Sequence, residues 1–139
     1  YAKKTQGAYY NNKLVTCSLK KDISDICTVI SRSELQAGLW NKYNNATKNK
    51  IEIGSVAYKL GLISAGKYDF FATLKPKNEW DICAGHIILE EAGGCLKNIN
   101  SLKSPIYNQA NTLQTPGLVG GNITLCQYFS SIWKNNNKN

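Results

Sequence analysis

Methionine is absent from the 139 residues, arginine and histidine each occur once, and no apolar run approaches the roughly 18 residues a membrane-crossing helix needs. The opening residues, YAKKTQGAYY, hold no apolar stretch of the signal-peptide kind. The expectation is a cytoplasmic chain without a membrane span. Cysteines 17, 27, 83, 95 and 126 are odd in number and include no C-x-x-C, so a disulfide framework or zinc site is disfavoured and buried or free thiols are expected. The missing methionine has a further implication. Tyr1 is not a residue that normally follows initiator removal, so these residues are not expected to be a complete reading-frame product.

What is present fits one soluble domain with a real core, at 15.4 kDa and 42% hydrophobic residues. The net charge is +8, yet the lysines are dispersed among many asparagines. A Lys/Asn compositional bias of this kind accounts for most of the excess, so no nucleic-acid partner is expected. Against that drift toward lysine, Arg32 is the sole arginine. Its rigid fork suits bidentate binding of phosphate or carboxylate, and chance retention is the other reading.

Strand and helix signals alternate along the chain. Residues 1–16 read as a hairpin turning at Asn11-Asn12. Residues 27–31 (CTVIS) read as a buried strand. Residues 33–43 read as a helix with Ser33 as N-cap and Leu35, Leu39 and Trp40 at helical spacing. A brief strand at 51–53 ends at Gly54. Val56, Leu60 and Ile63 then mark a helix that Gly66 stops in the left-handed conformation. Residues 68–73 read as a strand, 74–79 as a charged loop around Pro76, 94–99 and 117–119 as strands, and the final helix runs to Trp133. Gly120-Gly121-Asn122 reads as a tight turn with Asn122 as N-cap, ahead of a phosphate-cradling role. The polar tail, 134–139, is expected to be frayed. The pattern predicts an α/β fold, a mixed sheet with helices packed on its faces.

One stretch does not fit a plain core helix. Residues 80–94 read WDICAGHIILEEAGG. Asp81 stands at the mouth of the helix, where free N–H groups and the helix dipole favour negative charge. One reading makes Asp81 an N-cap and Gly93-Gly94 a stop. In the other, Ala84 and Gly85 strip the first turn so that a phosphate can approach, and a divalent cation reconciles it with the acids Glu79 and Asp81. His86 lies roughly 140° around the helix from Asp81, which suits packing better than metal ligation. Glu90 and Glu91 are assigned no chemistry.

Residues 80–94 match W-D-(I/V)-x-A-(G/A)-x-x-(I/L)-(I/L)-x-E-A-G-G almost without departure, and that pattern resembles the C-terminal signature of the inositol monophosphatase family. The resemblance extends over nearly the whole chain. Gln6-Gly7-Ala8-Tyr9 with Asn12 resembles the family's G-A-(F/Y)-x-N-G hairpin, with Lys13 in place of the last glycine. Ser31-Arg32-Ser33-Glu34 resembles the S-R-S-H element of its 3'(2'),5'-bisphosphate nucleotidase branch, with Glu34 where histidine is usual. Gly54-Ser55-Val56, Lys59 and Ala65-Gly66 resemble that branch's G-S-V-G-x-K element.

The resemblance implies a Mg2+-dependent phosphate monoester hydrolase in which carboxylate-held ions polarise the phosphate and activate water. It implies Asp81 as a metal ligand that also lies against substrate. Arg32, Ser33, Gly54, Ser55 and Lys59 become the substrate-side residues, with Lys75 and Lys77 adding positive potential. Arg32 and Lys59 together suit a second substrate phosphate, which tilts the expected partner toward a bisphosphate nucleotide over an inositol phosphate. The family's other metal ligands belong to a D-P-x-D-G-T element, and Asp22, Asp25, Asp69 and Asp81 are not in such a context. The expectation is thus a C-terminal lobe over residues 1–133, the second half of the family's layered fold, with the N-terminal catalytic lobe absent or supplied in trans. Alone, it is expected to be catalytically incompetent, with an apolar face exposed. The alternative is a non-catalytic phosphate- or nucleotide-binding subunit, or a gene remnant.

Overall fold

The computed structural model describes residues 1–138. In chain order the elements are β1 (Ala8–Tyr10), β2 (Lys13–Val15), β3 (Cys27–Ile30), α1 (Arg32–Gln36), β4 (Asn49–Glu52), α2 (Val56–Ser64), β5 (Phe70–Thr73), β6 (Lys77–Asn78), α3 (Glu79–Glu91), β7 (Cys95–Asn98), β8 (Leu113–Gln114), β9 (Leu118–Gly121) and α4 (Ile123–Asn136). Five strands form the central sheet in the order β4-β3-β5-β9-β7. β3 runs parallel to β4 and β5, whereas β9 runs antiparallel to β5 and β7. The sheet is therefore mixed, with helices on both faces, as the alternation of elements predicts.

Strict alternation along the strands divides the core in two. Ile30, Phe70, Ala72 and Val119 point to the side of α4, where they meet Trp40, Tyr43 and Phe129. Val29, Phe71, Leu96 and Leu118 point the other way, onto Leu60 and Ile63 of α2 and Ile82 and Leu89 of α3. A slip of one residue in any of these strands would exchange the two sets, so the packing fixes the register.

Local signals explain most boundaries. Asn11 and Asn12 both adopt positive φ, 49° and 61°, as the two-residue turn between the paired residues Tyr10 and Lys13 requires. Gly93, at φ 84°, ends α3 while the N–H of Gly94 donates to the Leu89 carbonyl. Asn122 caps α4, its side chain accepting from the N–H of Leu125 at 3.1 Å.

Several expectations need revision. Gly120 and Gly121, read as a turn, belong to β9, where they pair with Phe71 and Phe70 of β5. The helix predicted over 33–43 is the short α1, with Ser31 and not Ser33 at its N-cap, because Gly38 turns back at φ 72° and a separate 3-10 turn follows at Asn41–Tyr43. The loop 74–79 contains β6, which pairs with β8. α4 continues past Trp133 to Asn136, where Asn137 donates to the Tyr43 hydroxyl at 2.8 Å and accepts from Lys42 at 2.7 Å. Residue 139 lies outside the described residues.

Gly85 serves helix packing. A Cβ there would stand 2.6 Å from Leu60 Cδ1 and 2.7 Å from Leu60 Cβ, so Gly85 makes room for Leu60, not for a ligand. The faces of α2 and α3 turned away from the sheet are also apolar: Ala57, Tyr58 and Leu62 on one, Ala84, Ile87 and Ile88 on the other. Apolar residues on an outward face suit a helix that is covered there. The β1–β2 hairpin covers only part of this surface, and Tyr58 is 60% exposed. Among the described residues, no helix is long and apolar enough to cross a membrane. Gly85→Val is expected to cost about 1–3 kcal/mol by driving α2 and α3 apart, read as a lower urea midpoint at an unchanged slope.

Candidate functional site

The parallel strands β3 and β4 lead directly into α1 and α2, and ligands of open α/β sheets favour the carboxyl ends of such strands. A cleft of about 370 Å³ opens there, lined by Ser31, Ser55, Val56, Lys59, Trp80 and Asp81. Ser31 follows β3, Ser55 caps α2, Lys59 lies one turn further on, and Trp80 and Asp81 belong to the first turn of α3. Three stretches distant in sequence thus share one concave surface.

Asp81 is exposed and is the third residue of its helix. The N-cap is Asn78, one turn earlier than the sequence places it, and Asp81 Oδ2 accepts from the Asn78 N–H at a long 3.3 Å. That bond leaves the carboxylate with acceptor capacity on the cleft side. Glu79 does not join it. Its buried carboxylate accepts from the N–H groups of Asn108 at 2.7 Å and Gln109 at 3.1 Å, which anchors the loop before β8. The cleft therefore carries one acid, not two.

Lys59 is 1% exposed, with Nζ 5.6 Å from the centre of the Phe71 ring. Among the described residues its ammonium has no hydrogen-bond or ion-pair partner. Burial holds its pKa below the ordinary lysine value, with Glu34 opposing that shift and Lys77 adding to it. Nζ is not among the fully buried unpaired atoms, so the small exposure that Lys59 keeps includes its ammonium, and the cleft it lines is a side from which a counter-charge can come.

The nearby acid is already saturated. Glu34, fully buried, accepts from Thr73 Oγ1 at 2.5 Å, the Leu74 and Lys75 N–H groups at 3.1 and 3.2 Å, and Trp40 Nε1 at 3.2 Å, with Lys77 Nζ at 3.8 Å. It ties α1 to the end of β5 and to the loop before α3. Sequence reasoning notes Glu34 only as a departure from the S-R-S-H element, and that departure was the available signal.

The other expected residues divide. Ser55 lines the cleft at φ 59°, a strained conformation for a residue with a Cβ, while its hydroxyl accepts from the Tyr58 N–H at 3.3 Å. Gly54, beside it, is exposed, and a Cβ there would meet nothing within 4 Å. Ser33 stands behind Ser31, hydroxyl to hydroxyl at 3.0 Å. Arg32 is not among the lining residues; its exposed side chain approaches Glu52 at 3.9 Å. His86 is buried against the Tyr107 hydroxyl at 2.6 Å, as a packed histidine should be. Glu91 accepts from the N–H groups of Thr5 and Gly7 at 2.8 and 2.9 Å and so holds the N-terminal segment. Trp80, 68% exposed on the cleft lip, is a lining residue that the sequence presents only as part of a motif.

No group of three or more His, Cys, Asp or Glu side chains able to hold a metal ion occurs among the described residues. A hard cation takes six or more oxygens, so Asp81 alone does not make a metal centre.

An acid, Asp81, and an amine, Lys59, thus line one cleft of an α/β fold. The chain belongs to the inositol monophosphatase family, whose sequence profile matches residues 1–134. It is 27% identical over 120 residues to a fructose-1,6-bisphosphatase/inositol-1-monophosphatase of Thermotoga maritima, covering 86% of this chain and 46% of that protein. The structure superposes on the inositol monophosphatase of Anabaena with a TM-score of 0.76 at 21% identity, covering 94% of this chain and 54% of the other. A staphylococcal inositol monophosphatase-II with inositol monophosphate bound gives 0.77 at 21% identity, covering 94% and 50%. The chain thus spans about half the length of these relatives.

Two outcomes are expected from the buried groups. Glu34→Ala leaves several buried donors unpaired and should cost about 3–5 kcal/mol, with Glu34→Gln intermediate, in chemical denaturation. Burial holds the His86 imidazole below 6.5, while Glu90, in ion-pair range at 3.1 Å from Nε2, opposes that shift. The unfolded chain therefore takes up a proton near pH 6.5 that the folded chain refuses, so stability is full above that pH and declines below it. Thermal midpoints between pH 8 and 5 should show this slope in the wild-type chain and a flatter one in His86→Asn.

Proposed function

We propose that this chain is the substrate-side half of a Mg2+-dependent phosphate monoester hydrolase of the bisphosphate nucleotidase kind. The observation that carries the reading is Lys59, a side chain 1% exposed whose ammonium has no partner among the described residues and which lines the cleft holding Asp81. An anionic group in the cleft would supply the missing counter-charge, and Ser55, Ser31 and the open backbone at Gly54 offer donors and space beside it. Arg32 is the outer contact. Its exposed pair with Glu52 is worth under about 1 kcal/mol, so it can exchange Glu52 for a second phosphate, with Ser33 positioning Ser31. The staphylococcal relative has been crystallised with inositol monophosphate and with 2'AMP, both small phosphate monoesters and the second a nucleotide with a single phosphate.

Mg2+ is assigned to Asp81 only in company. One carboxylate does not fit a multi-ligand cation site, so the remaining oxygens must come from outside these residues. The apolar outer face of α2 and α3 supports a second lobe, since it adjoins the cleft and is only partly covered. A lobe seated there would bring further carboxylates toward Asp81. Without it the chain binds and does not turn over, which makes a non-catalytic binding subunit the second reading.

Calorimetry and a phosphate-release assay test both. The chain alone should bind 3',5'-bisphosphate nucleotide, more weakly by about 10- to 100-fold in Lys59→Ala, in keeping with loss of a charge-assisted hydrogen bond. Asp81→Asn should abolish any Mg2+ enhancement. Phosphate release should appear only on adding a relative's N-terminal lobe. Equal binding of inositol monophosphate and bisphosphate nucleotide, unaffected by Lys59→Ala, would reject the substrate assignment, and release by the chain alone would reject incompetence.

A further inference from the structure

On the α4 side of the sheet, away from the phosphate cleft, two cysteines stand sulfur to sulfur. Cys95 opens β7, Cys126 lies in the first turns of α4, and their Sγ atoms are 3.8 Å apart with both thiols free. Their settings differ. Cys126 is fully buried, whereas Cys95 is half-buried and lines a second open cleft, of about 280 Å³, together with Lys21, Gly94, Asn122 and Thr124. A small oxidant entering that cleft therefore reaches Cys95 first and finds Cys126 directly behind it.

We propose that Cys95 and Cys126 form an oxidisable dithiol that closes to an intramolecular disulfide on exposure to a hydroperoxide. The Cys95 thiolate attacks one peroxide oxygen and breaks the O–O bond, which gives a sulfenic acid at Cys95 and an alkoxide that takes up a proton and leaves as the alcohol. The Cys126 sulfur then attacks the Cys95 sulfur. The S–S bond forms, and the sulfenic hydroxyl leaves with the Cys126 proton as water. Two thiols lose two electrons and two protons, and one peroxide is reduced to alcohol and water.

The division of labour follows from the surroundings. Hydrogen bonding from Cys126 and the nearby charge of Lys97 favour the thiolate at Cys95, against burial and Glu90, while the partner's bond and deep burial keep the proton on Cys126. A thiolate with access and a resolving thiol in contact is the arrangement reversible oxidation requires. The two sulfurs are in contact at 3.8 Å, and a disulfide brings them to about 2.05 Å. Once formed, the bond would pin α4 to the edge strand β7.

The test uses the reduced chain in a Cys83→Ser background, since Cys83 is exposed and would otherwise compete. Treatment with equimolar hydrogen peroxide or cumene hydroperoxide should lower the intact mass by ~2 Da and yield a peptide joining Cys95 to Cys126, both reversed by dithiothreitol. Cys126→Ser and Cys126→Ala should instead accumulate a sulfenic acid at Cys95 that dimedone traps, and Cys95→Ser should leave Cys126 reduced. Near-ultraviolet circular dichroism confirms that each variant is folded. Full alkylation of both sulfurs after peroxide treatment, or a cross-link made with Cys17 or Cys27 in their place, would overturn the proposal.

Discussion

The buried carboxylate of Glu34 organises this molecule more than any other single group. A charge taken fully out of water persists only when it is surrounded by donors, and Glu34 draws those donors from Trp40, from the end of β5 and from the loop that leads to α3. The bond to Trp40 also holds that ring against Phe129 in the core on the α4 side. These interactions have an electrostatic consequence across the sheet. Because the carboxylate is fully engaged, Lys59 feels its field without receiving a bond, and the amine is left as the positive end of the cleft.

That arrangement accounts for how the cleft balances its charges. Asp81 at one wall sits in the first turn of α3, where helix dipole and free amides favour an anion. Lys59 at the other wall is buried beneath the first turn of α2. Both walls are fixed by the tight contact of α2 with α3 at Gly85, so the separation of acid and amine is set by helix packing and not by flexible loops. Among the described residues no group of acids supplies the several oxygens a hard cation takes, and the chain spans about half the length of its relatives.

How much of this could be read in the sequence depends on whether the signal is local. The Asn11-Asn12 turn, the Gly93-Gly94 stop and the apolar run from Cys27 each act on immediate neighbours, and their elements appear where expected. The stretch from Trp80 to Gly94 located the cleft because a signature fifteen residues long carries its own context. What escaped is non-local. β6 and β8 have two residues apiece and exist only through each other. Gly85 resembles a ligand-facing glycine until Leu60 is seen above it, Glu79 resembles a second cleft acid until the Asn108 loop claims it, and Arg32 turns toward Glu52 on the neighbouring strand end. In each case the decisive partner is remote in the chain and leaves no mark on the spacing.

The tryptophans give the cleft an optical property. Trp40 is sealed in the core and Trp133 is half-covered on α4, whereas Trp80 stands 68% exposed between Asp81 and the groove beside Tyr107. Indole emission is sensitive to nearby charge and to loss of water. Most of any fluorescence change on filling the cleft therefore comes from this one ring, so the native protein carries its own probe of occupancy without a label.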